Sequence, residues 1–349
     1  MKILVFEYIT GGGLNKQELP DSLVKEGSLM RNALLDNLDR LNQTRLNRFE
    51  VMVTLDWRLN NLAGITGIHV VTIGPEHDIT EEFARLVKQC DLVWPIAPEF
   101  DGILQALCQA VESLGKILLT SPATAVAIAG NKLKTYELLN RNHIATVPTC
   151  TFQSTYAPGE WMVKPVDGVG CENSYVLASP LDFERMAMRK GQYIIQPHLQ
   201  GAKTSLSCLF KQGSGWLMCA NLQRFEFINQ QYHLTDIVVN HHPDLGLYQP
   251  LIDKIAQALP ELWGYVGIDL IENDNDCIDA GGRAVQGAVA EIWVLEINPR
   301  LTTSFVGIHD ALGINIAEAV LQLLHGEPMI NPAYSRPITV QAKQATHAS

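Results

Sequence analysis

Strand-like and helix-like segments alternate, apart from one pair of successive strands, from the first residue to about residue 120, and that alternation leaves few folds open. The pattern predicts strands at Lys2–Tyr8, Val51–Leu55, His69–Ile73, Asp91–Ala97 and Lys116–Thr120. Between them it predicts helices over about Ser22–Leu41, Ile79–Gln89 and Glu99–Ser113; in the first, Leu23, Met30, Leu34, Leu38 and Leu41 make an apolar stripe at helical spacing. Strands joined by helices can run parallel only if the helices cross over the sheet, so the expectation for residues 1–120 is an α/β domain with helices on both faces. The glycines after the first strand, Gly11, Gly12 and Gly13, match neither GxGxxG nor GxxxxGK. They read either as a flexible turn or as a backbone-donor site for a substrate carboxylate at the mouth of the sheet, with Glu7 placed to hold a substrate ammonium.

The segment EIWVLEINPR, Glu291–Arg300, is a strand that ends in polar groups. Side chains alternate along a strand, so Glu296, Asn298 and Arg300 should share one face while Leu295 and Ile297 enter a core. A carboxylate and an amide oxygen two residues apart are hard ligands suited to Mg2+, and Arg300 supplies a fixed cation for phosphate. A strand at Tyr265–Ile271 carries Asp269 among apolar neighbours. A buried aspartate needs a partner, and a cation shared with Glu296 would be one.

Upstream, Ser121-Pro122 opens a helix over Ala123–Ala129 that resumes as Asn131–Asn142, with Lys132 at its start. The strand WMVKP leads through Val166-Asp167-Gly168-Val169-Gly170-Cys171 to a returning strand at Ser174–Leu177. Gly168 and Gly170 let the backbone lie close over an anion, and Lys164 points a charge to the same place, although a plain hairpin with a surface lysine has the same pattern. Strands at Tyr193–Gln196, Thr204–Phe210, Trp216–Leu222 and Tyr232–Val239 and a helix over Leu247–Leu259 follow. Asn273–Gly282 resembles a calcium loop but has Asp279 where glycine is required, so it reads as a solvated turn. A helix follows at about Asn315–Leu324, and the chain after Pro332 is polar and expected to be loose.

The net charge of −11 argues against nonspecific binding to nucleic acid or anionic membranes. Apolar runs are strand-sized, so no membrane span or signal segment is expected. Seven scattered cysteines without CxxC fit free thiols in a reducing cytoplasm.

Together these motifs resemble the ATP-grasp superfamily of carboxylate–amine ligases, and the resemblance covers nearly the whole chain. It implies an ATP-grasp fold: a parallel α/β domain at 1–120, a small subdomain with the glycine loop at 121–200, a subdomain with the metal site at 201–330, and a polar tail at 331–349. The two ATP-grasp subdomains would clasp ATP. By resemblance, Lys132 and Lys164 are the nucleotide lysines and Gly168 and Gly170 lie in the phosphate-covering loop. Gln196, Pro197, His198 and Leu199 form the hinge bordering adenine. Asp269, Glu296 and Asn298 bind Mg2+, with Mn2+ as an alternative, and Arg300 attends the transferred phosphoryl group. Lys203 stands where the family commonly has an acid that holds the ribose. The stretches FEYITGGG, KPVDGVGCE and EINPRLTTSFVG are similar to the branch containing tyramine–glutamate ligase, of methanofuran-type cofactor biosynthesis. That likeness implies an ATP-dependent ligase that joins an amino-acid carboxylate, glutamate, to a tyramine- or tyrosine-like amine through an acyl phosphate, with another amino-acid or peptide substrate pair as the alternative and a homodimer compatible with either. A biotin-carboxylase-like enzyme and an ATP-binding regulatory protein are the rival readings; the first lacks any sign of a biotinyl domain, and the second predicts loss of lysines and ligands that are all present.

Overall fold

The computed structural model describes residues 1–44, 49–59, 67–168, 173–273 and 291–342. The N-terminal layer comprises β1 (Lys2–Glu7), α1 (Asp21–Thr44), β2 (Glu50–Asp56), β3 (Ile68–Ile73), α2 (Ile79–Lys88), β4 (Leu92–Ile96), α3 (Ile103–Ser113) and β5 (Ile117–Leu118). Its strands lie in the order β3-β2-β1-β4-β5, every pair parallel. The central strand β1 is covered on both faces, which is why it reads as a continuous apolar run. Ile3 and Val5 pack with Met30, Leu34 and Leu38 of α1. Leu4 and Phe6 pack with Phe83, Leu86 and Val87 of α2. The third helix starts at Ile103, later than the apolar pattern predicts, after a 3-10 turn at Phe100–Gly102 where Asp101 and Gly102 take positive φ of 53° and 68°. Glu99 is thereby left at the end of the sheet rather than on a helix.

Next come α4 (Ala123–Ala129), α5 (Lys132–Arg141), β6 (Cys150–Thr151), β7 (Trp161–Pro165), β8 (Tyr175–Leu177), α6 (Pro180–Ala187) and β9 (Tyr193–Pro197). A small antiparallel sheet, β6-β9-β7-β8, packs on α6 through Val163, Leu177, Phe183 and Ile195. The Ser179 and Asp182 side chains close a capping box at the start of α6.

The last part holds β10 (Ala202–Lys211), β11 (Ser214–Ile228), β12 (Gln231–His242), α7 (Gln249–Ala258), β13 (Gly264–Asn273), β14 (Glu291–Asn298), α8 (Ile308–Leu312), α9 (Ile316–Leu323) and β15 (Ile338–Gln341). Its sheet is antiparallel throughout, in the order β14-β13-β10-β11-β12-β15. One face packs Leu206, Val266 and Ile268 against Ala125 of α4, Leu139 of α5 and Ile255 of α7. Helices α4 and α5, expected with the glycine-loop subdomain, therefore bury their apolar sides on the large sheet. The other face packs Leu209 and Val239 against Phe305, Ile308 and Val320, in one core with Leu34 and Leu38 of α1.

Within the described residues, the segment expected to be loose carries a strand. β15 adds to β12 in antiparallel register, Asp236 opposite Gln341 and Val239 opposite Ile338, and buries Val340. Its four residues are too short for a periodic signal. The expected turn at Asn273–Gly282 lies, beyond Asn273, outside the described residues. Among the described residues no single helix is long and apolar enough to cross a membrane.

Candidate active site

The site is built on a fault in the β13–β14 ladder. Asp269 faces Glu296 in register, but the next pair is Leu270 with Val294, so Leu295 is an extra residue. Such a bulge breaks alternation. Val294 and Ile297 are buried in the core, whereas Leu295 lines the cleft beside Glu296 and Asn298. The expectation that Leu295 points inward fails for this reason. On the same surface Asn298 Nδ2 donates to Asp269 Oδ2 at 3.1 Å and Gln223 Nε2 donates to Asp269 Oδ1 at 2.9 Å.

Lys132 ties this surface to the small sheet. Asn131 caps α5 through Lys134 N, which sets Lys132 as the first helical residue. Its Nζ lies 3.0 Å from Glu296 Oε2 and donates to Gly168 O at 2.5 Å, while its backbone N donates to Val166 O at 2.8 Å. Lys164, at the end of β7, lines the same cleft. Arg300 is buried; its Nη2 donates to Glu99 Oε2 at 2.9 Å and its Nη1 to Leu301 O at 3.0 Å. Arg300 Nε and Glu99 Oε1 are buried without a hydrogen-bond partner.

Charge is distributed unevenly between the two carboxylates. Burial raises the Asp269 pKa, and the neighbouring Glu296 charge raises it further, to about 8. Burial acts in the same sense on Glu296, but Lys132 and Lys164 outweigh it and hold that group below the usual carboxylate range. Arg300 also loses solvation, yet Glu99, and then Glu26 and Glu296, keep its pKa raised. Asp269 is thus partly buried beside a like charge and hydrogen-bonded by two neutral amides. Two carboxylates and an amide oxygen are the hard donors that Mg2+ takes, its remaining positions being filled by water or phosphate, so this donor set fits that ion. Among the described residues no group of three or more His, Cys, Asp or Glu is placed to hold a metal.

The structure brings together Lys132, Lys164, Gly168, Asp269, Glu296, Asn298 and Arg300; Gly170 lies outside the described residues. The segment from Gln196 to Leu199 reaches the cleft only indirectly. Gln196 is buried and donates to Thr149 Oγ1 at 2.8 Å, and Pro197 pairs with Trp161. His198 meets Glu160 Oε2 and Tyr232 Oη, each at 2.9 Å, and Tyr232 lines the cleft. Leu199 follows at intermediate exposure. Lys203 also lines the cleft, with its Nζ 4.0 Å from the centre of the Tyr232 ring.

The glycines at the mouth of the first sheet are closely packed. Gly11, Gly12 and Gly13 are buried, and a Cβ on them would lie 2.4 Å from Thr54 Oγ1, 2.5 Å from Ile73 and 2.5 Å from Tyr8 respectively. Close packing, and φ of 96° at Gly12, account for them. Glu7 is committed to the same turn: its carboxylate accepts from Ile9 N, Thr10 N and Thr10 Oγ1. Burial raises its pKa despite those bonds. This turn therefore corrects the expectation that Glu7 holds a substrate ammonium, because its carboxylate is taken up by Ile9 and Thr10.

Three residues of the site were not singled out from sequence. Glu99 holds Arg300, and its signal is an acid just past the end of a parallel strand, where open α/β sheets bind ligands. Gln223 holds Asp269. Glu26 accepts a hydrogen bond from Thr303 Oγ1 and lines the cleft. Its signal is the interruption of the α1 stripe: Leu23, Glu26 and Met30 lie on one helical face.

Comparison with known proteins agrees with this architecture. Residues 129–304 match the ATP-grasp domain, and residues 49–126 match the pre ATP-grasp 3 domain. The chain is 24% identical to a tyramine–L-glutamate ligase of Methanocaldococcus jannaschii over 88% of this chain and 84% of that one. It is 22% identical to the tyramine–L-glutamate ligase of Methanocaldococcus fervens over 97% of this chain and 99% of that one. An ATP-grasp superfamily protein from Archaeoglobus fulgidus superposes with a TM-score of 0.68 at 20% identity, covering 98% of this chain and 92% of that one. With the ATP-grasp domain spanning more than half of its length, the chain belongs to the ATP-grasp family of ADP-forming ligases.

Proposed function

We propose that this protein joins the carboxylate of L-glutamate to a tyramine-like primary amine, forming an amide by way of an acyl phosphate, in methanofuran-type cofactor biosynthesis. The observation that carries the reaction type is the convergence of Lys132, Lys164, Asp269, Glu296 and Asn298 on one cleft. The likeness to two tyramine–L-glutamate ligases over most of both chains supports the substrate pair.

ATP would lie in the cleft with its adenine toward Met162, Phe225 and Tyr232 and its phosphates toward Lys132 and Lys164. Bound at Asp269, Glu296 and Asn298, Mg2+ would neutralise charge on the β- and γ-phosphates. Phosphoryl transfer needs positioning and charge compensation more than a protein nucleophile, and no covalent enzyme intermediate is required. A glutamate carboxylate oxygen attacks the γ-phosphorus and ADP leaves. The amine then attacks the acyl carbon and phosphate leaves. The backbone around Gly168, tied to Lys132, would cover the phosphates and exclude water from the acyl phosphate. Arg300, whose side chain Glu99 fixes, would stabilise charge on the transferring phosphoryl group and then on the tetrahedral intermediate.

The test is ADP release with Mg2+ and ATP, supplying L-glutamate with tyramine and then each alone, and weighing the product. The expected result is ADP formed with both substrates and a product mass equal to their sum minus water. ADP release that never depends on a carboxylate substrate, across a panel of amino acids, would overturn the reading.

A further inference from the structure

Behind Arg300 lies a second, smaller cavity between α1, the end of β1 and the end of β4. Its wall is mostly apolar, with Ile9, Leu23, Met30, Ile96 and Pro98. Glu26 and Arg300 line both this cavity and the main cleft, so the two spaces meet at one carboxylate and one guanidinium. The other carboxylate of the small cavity, Glu7, is 2% exposed and already accepts three hydrogen bonds from its own turn. Glu26 has intermediate exposure, is oriented by the Thr303 hydroxyl, and stands at the junction. Arg300 is 9% exposed, and its Nε has no hydrogen-bond partner, although burying an N–H of a charged group without an acceptor is unfavourable.

We infer that this second cavity takes the acceptor amine, with Glu26 as the catalytic carboxylate that binds its ammonium group and removes its proton. This rests on the ligase reading above. The apolar wall suits the carbon skeleton of a primary alkyl or arylalkyl amine, and Glu26 suits its charged end. The junction lets that nitrogen approach an acyl group held in the main cleft, while the oxygen developing charge on the attacked carbon meets Arg300. Proton and electron balance is simple. R–NH3+ gives one proton to the Glu26 carboxylate and becomes R–NH2. Its lone pair forms the C–N bond, the C–O bond to phosphate breaks, and phosphate leaves with the electron pair. The second nitrogen proton passes to phosphate or water. No other reactant is required.

Hydroxylamine separates this inference from the ligase reading, because it is small, uncharged at neutral pH and needs neither ammonium recognition nor deprotonation. Wild-type enzyme and Glu26→Gln are each given Mg2+, ATP and L-glutamate, with tyramine or with hydroxylamine. Glu26→Gln should lose on the order of a hundredfold or more of kcat/KM for tyramine, the usual scale for a general base. Hydroxamate formation should fall by less than about tenfold, since acyl phosphate formation does not use this group. Glu26→Gln that still makes the tyramine amide at near wild-type rate overturns the inference. So does a variant that loses both products equally, which would give Glu26 only a part in holding Arg300 and Thr303. Wild-type enzyme that makes neither the tyramine amide nor hydroxamate would overturn the ligase reading itself, and the inference with it.

Discussion

Asp269→Asn should abolish at least about a thousandfold of ligase activity, the scale of removing a principal electrostatic stabiliser at a reacting phosphate, while making the Mg2+-free protein harder to unfold. Both effects come from one cause. Asp269 is partly buried against Glu296, and its neighbours Gln223 and Asn298 offer amide hydrogens but no charge. In the folded chain its pKa lies at about 8, raised by burial and by Glu296. A carboxyl with a raised folded pKa binds a proton that the unfolded chain releases near pH 4, so stability falls as pH rises through that window. Asparagine carries no charge and escapes the penalty, which is worth about 2–4 kcal/mol at neutral pH. Thermal melts of both proteins in chelator should show the variant gaining most at pH 8 and little at pH 4. A variant that melts lower than wild type at pH 8, or retains a tenth of the activity, would contradict this account of the pair.

Lys132→Met should act in the opposite sense on stability. The Lys132 ammonium sits 3.0 Å from Glu296 Oε2 and 2.5 Å from Gly168 O, with both charged side chains largely buried. Removing it leaves the largely buried Glu296 carboxylate with only Lys164 to compensate it, at a loss of up to about 3 kcal/mol. The low Glu296 pKa depends on Lys132 and Lys164 against burial. Without Lys132, Glu296 should be protonated at a higher pH, so Mg2+ binding weakens most in acid. The glycine-loop backbone also loses one of its two ties to α5, the bond from the backbone N of residue 132 to Val166 O remaining. The expected result is an ATP Kd raised at least about tenfold, together with slower turnover, since charged hydrogen bonds of this kind are worth about 1.5–3 kcal/mol each. Isothermal titration at fixed Mg2+ checks it; an unchanged Kd would remove Lys132 from the phosphate site.

The parallel sheet was legible from sequence because strand and helix periods differ and strands joined by helices must cross over. So was the grouping of Asp269, Glu296 and Asn298, since strand alternation carries over from neighbour to neighbour. Leu295 shows where that logic stops: a bulge is a property of the pair of strands, and nothing in EIWVLEINPR alone reveals the extra residue opposite β13. Gly11–Gly13 show another limit. Glycine needed for close packing against Thr54, Ile73 and Tyr8 looks the same in sequence as glycine needed for anion binding. Glu99 and Glu26 come from the N-terminal domain and meet Arg300, some two hundred or more residues later in the chain, only through the shared core of α1, α9 and the large sheet. Residue spacing carries no record of such long-range encounters. β15 was missed for a different reason, because four residues give no usable period.

The central claim is that the enzyme activates a carboxylate as an acyl phosphate. L-glutamate labelled with 18O in its side-chain and α-carboxylates, incubated with enzyme, Mg2+, ATP and tyramine, tests it in one turnover product. The attacking carboxylate oxygen stays on phosphorus when the amine displaces phosphate. The prediction is one 18O atom in the inorganic phosphate for each amide formed. Unlabelled phosphate, or label recovered in AMP, would contradict the mechanism assigned to this site.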